Sequence, residues 1–532
     1  MIRNITHFFR LIYIAWQLIR YDVLYPATWT RGLKLVDLFV KAARCFRNKK
    51  HDNLRWGQRI ALALVKLGPS FIKFGQTLAT RSDLIGDELA SDLSLLQDRL
   101  EPFSFKEAKA TLESETGVPI NESFSSFDEK PIAAASIAQV HYAITTRGDE
   151  VAVKVLRPQI ESSFASDLSL FEWIAKNLEN YIPWTQRLKP IKVVQIFANT
   201  IALEMDMRME AAAAAELAEN FKGDPDFKVP KIFWETTTKR VLTLERLSGC
   251  RPDDKAALEK AGHDPSEILQ KSACIFFNQV FRDGFFHADM HPGNVFITED
   301  GKIAPVDFGI MGRLDLETRF FLADMLTGFL TRDYKKVAEV HFKAGYVPPD
   351  QSLSVFSQAC RSIGEPILGL PLAKISLAKL LSQLFSITEK FEMQTQPQLL
   401  LLQKTMLVAE GVGRQINDQV NIWELARPLI EEWMIKYRSP PARLQKISTD
   451  LITLAERMPK ILDNSELIIN QASNGGLQLH PDTLQQFIKL NRGKRSILHW
   501  PTILFFNNHW YINWDVNVII DKFCEIFILK KW

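Results

Sequence analysis

His287-Ala288-Asp289-Met290-His291-Pro292-Gly293-Asn294, followed thirteen residues after Asn294 by Asp307-Phe308-Gly309, decides the fold of this 532-residue chain. Far upstream stands Val151-Ala152-Val153-Lys154. A lysine, then Asp with Asn five residues on, then a second Asp is the order used for phosphoryl transfer from ATP. The chemistry explains the residue types. ATP carries several negative charges, so a fixed cation is needed, and Lys154 is the candidate for the α/β-phosphates. Mg²⁺ is hard and takes oxygen ligands, so Asn294 and Asp307 are the candidate metal ligands. Asp289 stands where a carboxylate accepts a hydroxyl proton.

The local contexts agree with that reading. Val151 to Leu156 reads as a strand closed by Arg157-Pro158. Asn294-Val-Phe-Ile, Glu299-Asp300-Gly301 and Lys302-Ile-Ala-Pro-Val read as a hairpin with an Asp-Gly turn, which returns Asn294 and Asp307 to one cleft. The strand bearing Lys154 should follow a glycine-rich loop. Here the loop is alanine-rich: Ile132, Ala133, Ala134, Ala135, Ser136, Ile137 and Ala138 are the candidate nucleotide-covering residues. Alanine keeps the small size but loses the φ > 0 conformations that glycine allows, so the cover is stiffer. After Asp307-Phe-Gly no Ala-Pro-Glu follows, and Ile310 to Leu322 reads as helix. That leaves little room for a peptide-docking platform and implies a non-protein substrate or ATP turnover used as a switch.

Taken together, the chain resembles the UbiB family of atypical kinase-like proteins of bacterial ubiquinone biosynthesis. Lys73-Phe74-Gly75-Gln76 matches that family's Lys-x-Gly-Gln, Ala133 to Ser136 its alanine-rich loop, and Glu204-Met205-Asp206 its Glu-x-Asp. His287 to Asn294 and Asp307 to Gly309 match its catalytic and metal motifs, and the resemblance runs over about residues 1–490. It implies that the segment of Lys73 and Gln76 folds over the active site, where a protein substrate would otherwise bind. It marks Lys73, Gln76 and Asp206 as regulatory. Read alone, Lys73 is a surface lysine and Gly75 an allowance for close helix packing. Glu204 is the expected ion-pair partner of Lys154, with Glu210 as a rival. The stretch from Ser162 to about Thr200 reads as a helical insertion, and the hinge near Glu245-Arg246-Leu247 would meet adenine, with Glu245 and Leu247 as contacts.

Composition bounds the rest. Apolar residues make up 46%, enough for a large core, and five dispersed cysteines without a Cys-x-x-Cys indicate neither a disulfide framework nor a zinc site. No Gly-x-Gly-x-x-Gly dinucleotide fingerprint and no iron-binding cluster occurs, which argues against a hydroxylase. Residues 1–50 carry +8 and residues 489–532 carry +4 on a chain of net +3, which leaves the body at −9. Basic ends rich in Phe, Trp and Ile suit an anionic lipid surface better than nucleic acid, and Arg492, Lys494 and Arg495 are expected to contribute. The apolar stretch Ile5 to Ile19 is followed by no small-residue cleavage site and is not read as a signal peptide. Family members end in hydrophobic spanning segments. Residues 496–532 depart from that pattern, because no uninterrupted apolar run of about 18 residues exists. A monotopic anchor is therefore an alternative to a span.

The expected architecture is α+β: an atypical protein-kinase-like two-lobed fold, predominantly helical. Residues 1–117 form a membrane-proximal helical extension, 118–247 a small lobe with a helical insertion, and 248–440 a helical large lobe. Residues 441–495 form a helical linker and 496–532 a membrane-associating tail. The expected function is an atypical kinase or ATPase using ATP and Mg²⁺. The resemblance implies a role in ubiquinone biosynthesis at the cytoplasmic face of the bacterial inner membrane. Its expected partners are the lipid membrane, polyprenylphenol intermediates and other enzymes of that pathway, with no nucleic acid. Two alternatives stand beside it. One is a small-molecule phosphotransferase, which would lack Lys-x-Gly-Gln. The other is an ATP-gated lipid-binding chaperone, against which the intact Asp289, Asn294 and Asp307 argue.

Overall fold

The computed structural model describes residues 2–23, 47, 49–51, 53–79, 85–93, 96, 101–181, 190–366, 387, 390–393, 396–416 and 422–438. Contacts divide the chain into units 1–431 and 432–532. Only 432–438 of the second are described, as the end of a helix over Ile422–Arg438. The expected linker 441–495 and tail 496–532, with Arg492, Lys494 and Arg495, lie outside the described residues.

The first unit opens with helices α1 (Ile2–Arg20), α2 (Trp56–Leu67), α3 (Pro69–Ala79), α4 (Asp87–Leu93) and α5 (Phe105–Thr116). Gly68 at φ +111° separates α2 from α3, and Pro69 starts the new helix, where its missing N–H costs nothing. Ser104 and Glu107 close a capping box on α5, and Gly117 ends it in the left-handed region.

An antiparallel sheet follows. It contains β1 (Phe124–Phe127), β2 (Ala133–Ala134), β3 (Ala138–Thr145), β4 (Glu150–Leu156) and β5 (Val241–Glu245), in the order β1-β3-β4-β5 with β2 also paired to β3. Strand β4 shows why Lys154 faces a cleft. Side chains alternate across a strand. Val151, Val153 and Val155, fully buried, form one face with Leu112, Phe124 and Val241. Lys154 must then point to the other.

The expected insertion is the helix pair α6 (Ile160–Tyr181) and α7 (Pro190–Glu204). It shares one core with the N-terminal extension and the sheet, through Leu64, Phe71, Leu93, Phe164, Phe197 and Leu242. Arg10 of α1 adds a polar tie, donating to the Asp167 carboxylate at 3.1 Å and to the Leu67 carbonyl at 3.2 Å.

Helix α8 (Met207–Asn220) joins two cores. Met207 and Ala211 belong to the first; Ala214 and Leu217 pack with Phe227, Phe285, Val295 and Phe308 in the second. Its alanine run favours helix and lets neighbours approach closely. The second core carries α9 (Pro265–Phe277) and two short antiparallel ribbons. One pairs β6 (Phe285–His287) with β9 (Met311–Arg313), the other β7 (Val295–Ile297) with β8 (Ile303–Pro305). The β7–β8 pair is the expected hairpin, turned by Gly301 at φ +76°.

Residues 311–313, expected as helix, are a strand, and α10 (Leu316–Leu330) begins later, capped by Asp315. The reason is Gly312. It lies opposite Phe286, and any Cβ there would stand 2.1 Å from that ring. Helices α11 (Tyr334–Lys343), α12 (Leu353–Gly364) and α13 (Pro397–Ile416) follow, with α13 against α9 and β9.

Candidate active site

Lys154 donates to both carboxylate oxygens of Glu210, at 2.9 and 3.0 Å, and lies 3.4 Å from Asp307 Oδ2. The side chains of Lys154 and Glu210 are 13% and 8% exposed, whereas Asp307 keeps 44% and opens onto the cleft. Burial works against the Lys154 ammonium, but Asp307 and Glu210 outweigh it and raise its pKa. Burial would likewise raise the Asp307 carboxyl, yet Lys154, the Gly309 N–H and nearby Lys73 hold it well below the usual carboxylate range. Burial pushes Glu210 up, opposed by Lys154 and by the Phe308 N–H, which donates to Oε1 at 3.3 Å.

The partner of Lys154 is thus Glu210, not Glu204. The chain leaves the helix after Glu204, and Asp206 caps the next one by accepting from the Arg208 N–H at 3.1 Å. That break ends α7 with Glu204 and sets Glu210 in the first turn of α8, beside β4. Glu204 instead pairs with Lys73 of α3 at 3.1 Å, and both side chains are 13% exposed. Gln76 donates to the Leu96 carbonyl at 3.2 Å, and a Cβ on Gly75 would stand 2.5 Å from the tip of the Leu96 side chain, which would have to give way, so glycine lets α3 seat closely there. Asp206 also holds the Arg208 side chain at 2.6 Å. The Asp206 cap, in front of an alanine run, was the available signal that a helix starts at 207.

Across the cleft, Asn294 Nδ2 donates to Asp289 at Oδ2, 3.1 Å, and at the carbonyl, 3.2 Å, which leaves the Asn294 amide oxygen for a cation. His287 is wholly buried, and burial pushes its imidazole down toward the neutral form. Its Nδ1 accepts from the Asp289 N–H at 3.1 Å, so Nε2 is the donor to the Asp307 carbonyl. One neutral ring therefore ties the Asp289 loop to the Asp307 loop. Asp289 Oδ1 accepts from Lys404 of α13 at 2.9 Å. Sequence reading missed Lys404, which sits 115 residues away among apolar helical residues.

The alanine-rich loop is a strand and a tight turn. β2 pairs with β3, and the Ala135 N–H donates to the Ala138 carbonyl at 2.8 Å. Arg157 clamps the Ala135 carbonyl at 2.9 and 3.2 Å. Ile132 and Ala133 are exposed and Ala134 and Ala135 half-buried, while Ser136, Ile137 and Ala138 are packed into the core. Side-chain contact with a nucleotide is thus open only to the first four. At the hinge, the Glu245 carboxylate is occupied by Lys228 at 2.6 Å and the Lys231 N–H at 3.1 Å, and Leu247 is buried.

No cluster of three His, Cys, Asp or Glu poised for a metal occurs among the described residues. One open carboxylate and one amide fit Mg²⁺, which keeps waters and phosphate oxygens in its shell.

This fold and site define an atypical kinase-like protein. The ABC1 atypical kinase-like domain matches residues 95–341, and the UbiB helical domain matches residues 360–421. The probable protein kinase UbiB of Marinobacter nauticus is 41% identical over 462 residues, covering 86% of this chain and 84% of that protein. Its counterpart in Aeromonas hydrophila is 42% identical over 417 residues, covering 77% and 76%. The chain belongs to the UbiB family. In fold it is similar to a Mycobacterium tuberculosis protein solved in complex with erythromycin, at a TM-score of 0.50 and 24% identity over 74% of this chain and 97% of that one.

Proposed function

We propose that this protein binds Mg-ATP and transfers or releases its γ-phosphoryl group in support of ubiquinone biosynthesis at the membrane. The observation that carries the reading is the convergence of Lys154, Glu210 and Asp307 opposite the Asp289–Asn294 pair. Lys154 would meet the α/β-phosphates, Asp307 and Asn294 would hold Mg²⁺, and Asp289 would take the acceptor's proton. Mg²⁺ bridges phosphates and neutralises their charge when bound. Residues 310–315 join the Asp307 loop to α10 directly, so no long activation segment offers a peptide platform. That favours a small or lipidic acceptor such as a polyprenylphenol intermediate, or water. The pathway itself is supported by the family.

Membrane contact is supported by α1. Phe9, Ile12, Tyr13 and Trp16 recur at helical spacing, and each is at least 41% exposed. No helix among the described residues is long and apolar enough to cross a membrane. The test is Mg-ATP turnover by the purified chain, with and without anionic liposomes and a phenol mimic, analysed for phosphorylated lipid against free phosphate. Stimulation by liposomes is expected. A chain that neither binds nor turns over Mg-ATP under any of these conditions would refute the reading.

A further inference from the structure

Asp289 is held by two groups of different origin. Asn294 of its own loop donates to Oδ2 at 3.1 Å, and Lys404 of α13 donates to Oδ1 at 2.9 Å. Both carboxylate oxygens are engaged, so the plane of the carboxylate is fixed. The loop itself supplies no cation for this purpose. His291 turns back on its own chain, its Nδ1 accepting from the Gly293 N–H at 3.1 Å. Lys154 is committed to Glu210 and Asp307. α13 is firmly seated: Leu402 is 7% and Thr405 1% exposed, on either side of Lys404. Yet the Lys404 and Asp289 side chains remain 33% and 29% exposed, which leaves the pair open to the cleft. An ion pair this open contributes little to stability, so packing does not account for it.

Resting on the reading of this site as an ATP site, we propose that Lys404 is the positioning residue for Asp289, delivered by the helical domain to complete the active site. In the step it serves, the acceptor oxygen bonds to the γ-phosphorus as the bond to the β–γ bridging oxygen breaks. The electron pair of that bond leaves with ADP, and the acceptor's proton passes to Asp289. Lys404 aims the carboxylate at that proton and sets positive charge beside the oxygens of the transferred group, where charge develops. Turnover then depends on the seating of α13, a helix outside the kinase-like domain.

The test uses the full chain, with phosphate release from Mg-ATP and separately measured Mg-nucleotide binding as readouts. Lys404→Met should lower kcat by on the order of 10- to 100-fold, less than the roughly 100- to 1,000-fold for losing a donor to the transition state itself because Lys404 acts through Asp289, with KM and nucleotide affinity changed less than about threefold. Lys404→Arg should recover part of kcat, because it keeps the cation and the donor. Thermal melting reports the folded fraction of each variant. The proposal is overturned by a Met variant at the wild-type rate, by a loss that only tracks unfolding, or by an Arg variant no better than Met. A wild type that binds and turns over no Mg-ATP would overturn the ATP reading, and this role with it. An active wild type beside an unimpaired Met variant would overturn the Lys404 role alone.

Discussion

Lys154 and Lys404 each hold a carboxylate at 2.9 Å, from opposite walls of the cleft and by different means. Lys154 rises from a strand hydrogen-bonded on both sides, and its partner Glu210 is 8% exposed. Lys404 rises from a helix of the C-terminal helical segment and reaches an Asp289 side chain that is 29% exposed. A buried pair needs its partner, because removing one member strands the other charge in a poorly solvated place. An open pair can be lost with little effect on the fold. The first wall is therefore set by folding and the second by docking. Damage to the first should appear as instability and lost binding, damage to the second as lost rate.

The largest effect is expected at Asp307. Asp307→Asn removes the open carboxylate beside Lys154 and should abolish Mg-dependent nucleotide binding, seen by titration with and without Mg²⁺. Binding that remains Mg-dependent with unchanged affinity would exclude Asp307 as the metal ligand. Next comes the choice between two glutamates. Glu210→Gln leaves Lys154 short of a buried counter-charge and should cost about 3 kcal/mol, the lower end for breaking a buried pair, because Asp307 remains. It should also depress turnover. Glu204→Gln breaks its own pair with Lys73 and so also costs stability, but it leaves the Lys154 pair intact and should spare turnover by the folded protein. Equal loss of turnover in the two variants would break the assignment of Glu210.

Smaller is the effect of Ala134→Gly. Glycine restores loop conformations that alanine excludes, at about 1 kcal/mol or less in stability. The preference between ATP and ADP should shift while melting hardly moves. Identical binding of both nucleotides would remove the loop as a phosphate cover. Smallest is a pH dependence of stability. Burial holds His287, His141 and His341 below their ordinary pKa. The unfolded chain takes up protons near pH 6.5 that the folded chain refuses, so this stability is present above about 6.5 and lost as pH falls below it. Melting temperature should fall between pH 7 and 5, and less steeply in His287→Gln. A slope unchanged by that substitution would mean that His287 binds protons alike in the folded and the unfolded chain.

Several parts of the site were legible because their signals are local. The valine-rich run around Lys154 predicts its strand. Asp300-Gly301 predicts the hairpin that brings Asn294 and Asp307 together. The choice of Glu210 over Glu204 was less legible, because it depends on the helix break that the Asp206 cap makes between them. The first miss, a helix from Ile310, overlooked that Gly312 suits a strand pressed under Phe286. The second, Lys404, had no local signal, since a lysine on an amphipathic helix reads as solvated surface.

By itself the sequence determined the class of fold, the order of the candidate site residues, the alanine-rich loop and the membership of its family. Each follows from short-range chemistry: strand alternation, turn geometry, and motifs whose residues lie within about twenty positions. Only the tertiary structure decided which carboxylate answers Lys154, that Lys73 answers Glu204, and that α13 brings Lys404 to Asp289. Ion pairs between distant elements depend on where packing stops each helix. That is set by contacts such as Gly75 against Leu96 and Ala211 in its core, which no spacing along the chain records.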